Sequence, residues 1–504
     1  MPDEVIEADV AIIGSGMGGG IFARAMGERG VRTVVLERGT RLPREEANWS
    51  PRRVFIGGLY KNAGHWEDAG GGRFMPGVHY WVGGNTKMYG ASLVRFREAD
   101  FEAIEYPEGL SPAWPFRYAD LEPFYGVAEQ WLGVHGTVGQ DPTEPWRSTG
   151  YPYPALDQEP YIAELIRRFA EQGVTPSTAA IAVDHRPGGS CVRCGTCDGF
   201  PCMLGAKGDA ETRGIDPALA TGNVTLMESV EVTRLVTDPG GSRVVEAQGR
   251  RPGGESVRIL AKAFVVSAGA VNSARLLMRS ATSRQPDGLA NSSGLLGRNY
   301  MVHNATFMVA VDPRRRNRTR FQKTISINDW YLGSDLGMPL GNVQMLGKLH
   351  GAMVKAARPY VPTPILDAVT RRSVDFYLES EDLPDPANRV TLTTGGVPVV
   401  HWKPNNLGPH RGLIAKTRDL LGRAGYPIVL QETMGIATNS HMCGTAAAGV
   451  DPRTSVVDPL CRAHDVENLF IVDSSFFPSS AAMNPALTIA AQAVRVAEQA
   501  DVLR

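Results

Sequence analysis

A glycine-rich turn near the N-terminus constrains the fold of this chain more than any other feature. An apolar run of strand length starts at Asp9, and the spacing Gly14-x-Gly16-x-x-Gly19 follows it directly, before a helix-compatible stretch through Met26. A β-turn-α dinucleotide site needs this order. The first glycine permits the tight turn, the second lets a pyrophosphate approach the backbone, and the third lets the helix pack against the strand. We therefore predict a dinucleotide site rather than a purely structural turn.

An acidic residue at the end of the next predicted strand strengthens this prediction. Residues 33–37 form a short apolar run that ends in Glu37, 18 residues after Gly19 and close to the spacing of about 20 that is expected for this fingerprint. The carboxylate can accept hydrogen bonds from both hydroxyls of an adenosine ribose, and it disfavours a 2′-phosphate.

Length and composition describe an ordinary globular protein. The chain has 504 residues, a formal net charge of −1 and 43% hydrophobic residues, so neither nucleic acid nor an anionic membrane is favoured as a partner. No apolar run approaches the roughly 18 residues of a spanning helix, and the first strand begins too early to leave room for a signal peptide. We expect a soluble, cytoplasmic protein, and leave open whether it forms a homo-oligomer.

The rest of the chain shows two kinds of sequence pattern, one typical of α/β units and one typical of antiparallel strands. Residues 224–236 and 257–267 are predicted to be strands of a second sheet unit, and residues 469–473 and 487–500 a strand and a helix. Residues 305–435 show the alternation of antiparallel strands, interrupted by an irregular crossing segment at 339–364. Residues 41–81 form a long, Pro- and Gly-rich excursion that is a candidate cover over a ligand.

Several motifs, in order along the chain, carry a family resemblance. The chain resembles the glucose-methanol-choline (GMC) oxidoreductases, which are FAD-dependent alcohol and sugar oxidases and dehydrogenases. The matching pieces are Gly14-x-Gly16-x-x-Gly19 with Glu37, Gly83-Gly84, residues 267–277, 296–303 and 388–392, His441-x-x-Gly444-Thr445, residues 468–478, and Asn484-Pro485.

The resemblance implies an α/β fold with two units. A Rossmann-type FAD-binding domain, discontinuous in sequence, would comprise residues 1–100, 190–304 and 436–504. Residues 101–189 would be a connecting helical segment. Residues 305–435 would form the substrate domain, built on an antiparallel β-sheet.

The resemblance also implies the residues of the site. The cofactor contacts would be Gly14, Ser15, Gly16, Met17, Gly19, Glu37, Arg38, Gly83, Gly84, Asn85, Met88, Gly90, Ala91, Val232, Ala268, Gly269, Asp473, Ser474, Asn484, Pro485 and Thr488. His441 would be the catalytic base and Asn484 the donor to the substrate oxygen, with His303 structural. An imidazole suits the role of base because it titrates near pH 6.5 and is partly neutral at cellular pH. No metal is expected.

Within the family, residues 114–125 and the cysteine-rich stretch resemble the pyranose oxidase branch, which includes bacterial glycoside 3-oxidases. The chain departs from this branch at one position that bears on how FAD is held. Fungal pyranose oxidases place a histidine four residues after the second glycine of the Gly83-Gly84 loop, and that histidine bonds covalently to the flavin. Met88 stands there in this chain, and a thioether cannot form that bond, so FAD is expected to be held non-covalently.

Four cysteines, Cys191, Cys194, Cys197 and Cys202, fall within twelve residues. Their spacing could ligate an iron–sulfur cluster, but it is not the usual ferredoxin run. We favour buried structural thiols or a local disulfide, and keep the cluster as the alternative.

The leading hypothesis is an FAD oxidase of a secondary hydroxyl of a sugar or glycoside, at C3 or C2 of a pyranose, with O₂ reduced to H₂O₂. The first alternative is a dehydrogenase that passes the electrons to a quinone or a partner protein. The second alternative, from another class, is a catalytically silent flavin-binding or assembly protein, and the presence of both His441 and Asn484 argues against it.

Overall fold

The computed structural model describes residues 4–62 and 64–501, and a seven-stranded sheet lies at the centre of these residues. Five of its strands run parallel, in the order Val224–Met227, Thr33–Leu36, Glu4–Ile13, Ser256–Val266 and Leu469–Ile471. The glycine-rich turn follows the central strand, at the carboxyl end of the parallel part, which is where α/β sheets bind their ligands.

An antiparallel ribbon extends the same sheet. Glu231–Thr237 pairs with Val244–Arg250, which pairs with the first half of Ser256–Val266. The predicted strand at 224–236 is therefore two strands, separated by a turn at Ser229 with φ of +60°. The prediction that these residues and 257–267 form a second sheet unit is wrong, because they complete the sheet begun by Glu4–Ile13.

Helices cover this sheet. Met17–Glu28 packs against Ala486–Gln499, which in turn packs against Tyr118–Leu132, and Ala270–Arg279 follows the strand Ser256–Val266. The last helix is buried along most of its length, and it brings the residues just before it, including Asn484, to the edge of the sheet.

A second sheet of six antiparallel strands lies within residues 177–433 of the described chain. Its order is Ile428–Thr433, Asn304–Val311, Ser373–Ser380, Asn342–Met345, Ile325–Ile327 and Ser177–Thr178. Helices Pro160–Ala170 and Leu407–Arg423 pack on one face, against side chains such as Met308 and Phe376. The alternate residues, such as Phe307 and Tyr377, point to the other face, where a cavity lies.

Shorter elements connect these units. Residues 339–364 contain a strand of the second sheet and the helix Gly351–Ala357, with Thr363–Thr370 following, so the prediction of an irregular segment is wrong there. The remaining strands are Trp66–Asp68, Arg73–Phe74, Ile104–Tyr106, Gly109–Ser111, Val134–Gly136, Tyr153–Pro154, Ile181–Ala182, Arg389–Leu392 and Pro398–His401. The remaining helical turns are Glu46–Trp49, Arg52–Ile56, Gly84–Lys87, Glu98–Phe101, Glu211–Ile215, Asp216–Ala220 and Ser474–Phe476.

Among the helices of residues 4–62 and 64–501, none combines the length and the apolar character that crossing a bilayer would require.

Candidate active site

A cavity of about 500 Å³ runs from the glycine-rich turn to the inner face of the antiparallel sheet. One end is formed by the turn and Glu37, and the other by His441 and Asn484. The other predicted site residues that line it are Gly14, Ser15, Gly16, Met17, Arg38, Gly84, Asn85, Met88, Gly90, Val232, Ala268, Gly269, Asp473, Ser474 and Pro485.

Four predicted cofactor residues lie outside this lining in the described part of the chain: Gly19, Gly83, Ala91 and Thr488. Gly83 donates its backbone N–H to the hydroxyl of Ser15, and Ala91 is fully buried. Thr488 is also fully buried, and its hydroxyl shares a hydrogen bond of 2.7 Å with the hydroxyl of Tyr125. These residues support the wall rather than form its surface.

The three glycines of the turn serve two purposes. Gly14 has φ of +103°, and a Cβ built on it would lie 2.3 Å from the carbonyl oxygen of Ser267. A Cβ on Gly19 would lie 2.0 Å from the carbonyl oxygen of Gly14. A Cβ on Gly16, by contrast, meets no protein atom within 4 Å. Packing within the protein requires Gly14 and Gly19, whereas Gly16 leaves room on the cavity side.

The same end of the cavity suits an adenosine diphosphate group. Glu37 is buried and accepts hydrogen bonds from the N–H and hydroxyl of Ser15, at 3.1 and 2.6 Å, and from the N–H of Gly39 at 2.8 Å. Burial raises the pKa of Glu37, and these hydrogen bonds oppose the rise. The helix Met17–Glu28 begins without a side-chain cap, so its free N–H groups are available to a pyrophosphate beside Gly16.

At the end of the cavity that holds His441 and Asn484, which we call the reacting end, a buried carboxylate contacts several polar side chains. Oε1 of Glu379 lies 2.8 Å from Nδ1 of His441 and 3.0 Å from Nδ1 of His303. The two Nδ1 atoms are 3.0 Å apart, and Nε2 of His303 lies 3.2 Å from the carbonyl oxygen of Ser480. The carboxylate of Glu379 and the carbonyl of Ser480 can only accept hydrogen bonds. His303 therefore donates from both of its nitrogens, Nδ1 to Glu379 and Nε2 to Ser480, and is assigned as an imidazolium.

The charges of these buried residues shift one another's pKa values. Burial alone would raise the pKa of Glu379, but the two imidazoles outweigh it and lower the pKa to about 2. Burial would likewise lower the pKa of His303, and the carboxylate outweighs it, so that pKa is raised. His303 and Glu379 thus form an ion pair. His441 donates from Nδ1 to the carboxylate, which leaves the lone pair of Nε2 for the cavity.

Gln344 connects this carboxylate to the second catalytic candidate. Its Nε2 donates to Oε2 of Glu379 at 2.9 Å and to Oδ1 of Asn484 at 2.8 Å. Because the oxygen of the Asn484 amide is engaged by Gln344, its NH₂ group is left to donate into the cavity. Glu379 therefore orients both residues that the sequence indicated, His441 directly and Asn484 through Gln344.

Glu379 and Gln344 escaped the sequence analysis because neither belongs to a recognised motif. The only signal is an acid in Ser373–Ser380, a strand in which every residue is buried. His303, expected to be structural, lies fully buried behind His441. One potential metal-ligand atom from each of His303, Glu379 and His441 lies within 4.8 Å of the others, a spacing that a metal ion could share, but here both histidines donate hydrogen bonds to Glu379.

Asp198, which follows Cys197 within the cysteine-rich segment, lines the cavity. All six cysteines of the chain are free thiols, so the local disulfide is not formed. Burial raises the pKa of Cys197 to about 12. Buried Lys207 donates to the carbonyl oxygens of Cys197 and Phe200, at 3.1 and 2.8 Å, which anchors the segment.

Comparison with known proteins identifies the family of the chain. Two GMC oxidoreductase family profiles match the chain, at residues 56–305 and 387–493. Paromamine 6'-oxidase from Streptomyces fradiae is 33% identical, over 97% of this chain and 90% of the relative. The chain belongs to the GMC oxidoreductase family, and it is an FAD-dependent enzyme of that family.

Other relatives include both oxidases and dehydrogenases. The 6'''-hydroxyparomomycin C oxidase of Streptomyces lividus is 32% identical, over 97% of this chain and 90% of the relative. The fructose dehydrogenase large subunit of Gluconobacter japonicus is 27% identical, over 99% of this chain and 98% of the relative. The relatives of the chain are thus named both as oxidases and as a dehydrogenase.

Solved structures share the fold. Pyridoxine 4-oxidase from Mesorbium loti superposes with a TM-score of 0.68 at 19% identity, covering 98% of this chain and 99% of that one. Formate oxidase gives a TM-score of 0.69 at 15% identity, covering 99% and 98%. At these identities the likeness concerns the fold, a Rossmann-type domain with a second β-sheet unit.

The glycine turn yields a matched pair of substitutions. The FAD-free form of Gly16→Ala should melt at the temperature of the FAD-free parent, because its Cβ meets no protein atom. It should nevertheless bind FAD about tenfold more weakly or worse, as expected when overpacking costs about 1–3 kcal/mol. Gly19→Ala should lower the melting temperature, because its Cβ would collide with the backbone of Gly14. Calorimetry and FAD titration separate the two effects. Parent-like FAD binding in Gly16→Ala would contradict this placement of the cofactor.

The role of Glu379 also has a direct test. Glu379→Gln can offer an N–H to Nδ1 of His441, which would move the imidazole proton to Nε2 and leave no proton acceptor facing the cavity. We expect FAD binding and sugar affinity close to the parent's, and a limiting rate of anaerobic flavin reduction lowered about 10²-fold or more.

The control is Glu432→Gln, an exposed position of the same sheet paired with Arg358, and it should behave as the parent. Glu379→Asp keeps the charge and should recover part of the rate. A parent-like limiting rate in Glu379→Gln would show that the carboxylate does not position the base.

Proposed function

We propose that this protein is an FAD-dependent oxidase of a hydroxyl group on a sugar or glycoside, acting on a secondary hydroxyl at C3 or C2 of a pyranose, with O₂ as the electron acceptor. One observation carries the proposal. His441 and Asn484 line one end of a cavity whose other end has the features of a dinucleotide site, and they are connected through Glu379 and Gln344. The names of the relatives support sugar-type substrates.

FAD supplies the hydride acceptor for the hydrogen on the oxidised carbon. The protein handles the proton of the hydroxyl. Nε2 of His441 accepts it, and the NH₂ group of Asn484 donates a hydrogen bond to the same oxygen, which stabilises negative charge as it develops there. Glu379 holds the imidazole in the required tautomer and stabilises the imidazolium that forms.

The walls at the His441 end of the cavity fit a sugar ring. Phe307 and Tyr377 present aromatic rings to the cavity, with centroids 5.3 Å apart, and Leu346 adds an apolar surface. Aromatic faces are suited to pack against the C–H faces of a pyranose. Met88 also lines the cavity, and its thioether cannot tether a flavin, so FAD is held by non-covalent contacts.

A second candidate keeps the chemistry and changes the acceptor. The match to the fructose dehydrogenase large subunit spans almost the whole of both chains, which favours a dehydrogenase as the alternative. The acceptor changes only the step that reoxidises the cofactor, so the roles of His441 and Asn484 are the same in both.

The function is tested by removing the base. His441→Ala should remain folded and bind FAD, because the adenosine end of the cavity is untouched, but its flavin should be reduced at least about 10²-fold more slowly at saturating sugar, since general-base assistance is worth about 10²–10⁴-fold. Stopped-flow bleaching under nitrogen measures this rate. Asn484→Ala should have a smaller effect, because the base remains.

The control is His464→Ala, a histidine outside the cavity that bonds the hydroxyl of Ser455 at 2.8 Å, and it should reduce its flavin at the rate of the parent. A His441→Ala rate within a few-fold of the parent's would mean that another group is the base, and the mechanism would be wrong.

A further inference from the structure

A buried ion pair lies in the cavity wall, apart from the catalytic residues. Nζ of Lys323 is 2.8 Å from Oδ1 of Asp198, and both residues line the cavity. The side chains are 5% and 15% exposed. Asp198 follows Cys197 in the cysteine-rich segment, whereas Lys323 lies just before the strand Ile325–Ile327, so two distant parts of the chain build this pair.

Within the described residues, the ammonium group of Lys323 has fewer hydrogen-bond acceptors than it has N–H groups. Its ammonium has three N–H groups, and within the described residues only Asp198 accepts one of them. Lys207, equally buried, donates to four carbonyl oxygens, and Lys87 pairs with both Asp209 and Glu211. A buried N–H group without an acceptor is unfavourable. The free donors of Lys323 are therefore suited to a polar ligand in the cavity.

The residue that lies against the pair is a glycine, Gly90. A Cβ built on Gly90 would lie 1.4 Å from Oδ1 of Asp198 and 2.2 Å from Nζ of Lys323. Any other residue at position 90 would displace the pair. Asp198 is held from the opposite side as well, because its Oδ2 accepts a hydrogen bond from the N–H of Gly347.

The pair is separated from the reacting end along the sheet. Gln344, which contacts Asn484, lies within the strand Asn342–Met345, whereas Gly347, which contacts Asp198, lies two residues beyond the end of that strand. A hydroxyl held between His441 and Asn484 and a group held by Lys323 therefore contact different residues of one cavity wall.

We propose that Lys323 and Asp198 form a subsite that binds neighbouring hydroxyl groups of the sugar substrate, away from the hydroxyl that is oxidised. The inference rests on the proposed function. A hydroxyl both donates and accepts, so it can accept from the ammonium and donate to the carboxylate. A carboxylate ligand would be repelled by Asp198, and an ammonium ligand by Lys323. A neutral polyol satisfies both.

The test combines changes in the ligand and in the protein. Methyl β-D-glucopyranoside and its monodeoxy analogues are mixed under nitrogen with the FAD-loaded enzyme, and the dissociation constant and limiting rate are read from flavin bleaching. The parent should bind one or two analogues about tenfold more weakly than the full glucoside at a similar limiting rate. Lys323→Met should bind the glucoside about tenfold more weakly and no longer distinguish those analogues.

Lys323→Arg, which keeps the charge, should retain part of the discrimination. Lys416→Met is the control, since Lys416 lies outside the cavity and pairs with the exposed Asp335. If Lys323→Met fails to fold, the parent's own preference among the analogues still decides, because equal binding of all of them contradicts the subsite.

Two other results would also contradict it. A Lys323→Met enzyme that still discriminates as the parent does would show that another group reads these hydroxyls. Weakened FAD binding with unchanged sugar affinity would assign the pair to the cofactor. A parent whose flavin no sugar reduces would contradict the proposed function itself, and the subsite with it.

Discussion

The reacting end of this site depends on one buried carboxylate. Glu379 accepts hydrogen bonds from His441, His303 and Gln344, and these three donors lie on different segments of the chain. A buried charge needs this compensation, and removing one partner of such a group typically costs about 3–5 kcal/mol. The same contacts that stabilise the carboxylate fix the tautomer of His441 and, through Gln344, the direction in which the amide of Asn484 donates.

A second carboxylate plays the corresponding part on the cofactor side. Asp473 accepts from the N–H of Gly269 at 2.9 Å and from the hydroxyl of Ser273 at 2.6 Å, at the start of helix Ala270–Arg279. It also accepts from the N–H of Ser475 at 2.8 Å. Burial raises its pKa, which these hydrogen bonds oppose. The carboxyl ends of the parallel strands are thereby tied together where they meet the antiparallel sheet, and the cavity lies along that junction.

The sequence was informative where the chemistry is local. The glycine spacing and Glu37 predicted the turn and the cofactor end, because backbone conformation and close approach are set by neighbouring residues. His441 and Asn484 were proposed as catalytic residues from short family motifs. Gln344, Glu379 and Lys323 were not, because their roles arise from strand register and from contacts between segments far apart in sequence. The seven-stranded sheet was divided wrongly for the same reason, since its pairing of Ser256–Val266 with Glu4–Ile13 is also long-range.

The most direct test of this account is the absorbance of the bound flavin during anaerobic mixing with a panel of free sugars, O-glycosides, C-glycosides and aliphatic alcohols, followed by admission of air. The account predicts that sugars or glycosides bleach the flavin, that simple aliphatic alcohols do so far more slowly, and that the oxidised spectrum returns in air with formation of H₂O₂. Bleaching without recovery in air would favour the dehydrogenase. A fully FAD-loaded enzyme that no sugar or glycoside bleaches would contradict the central claim.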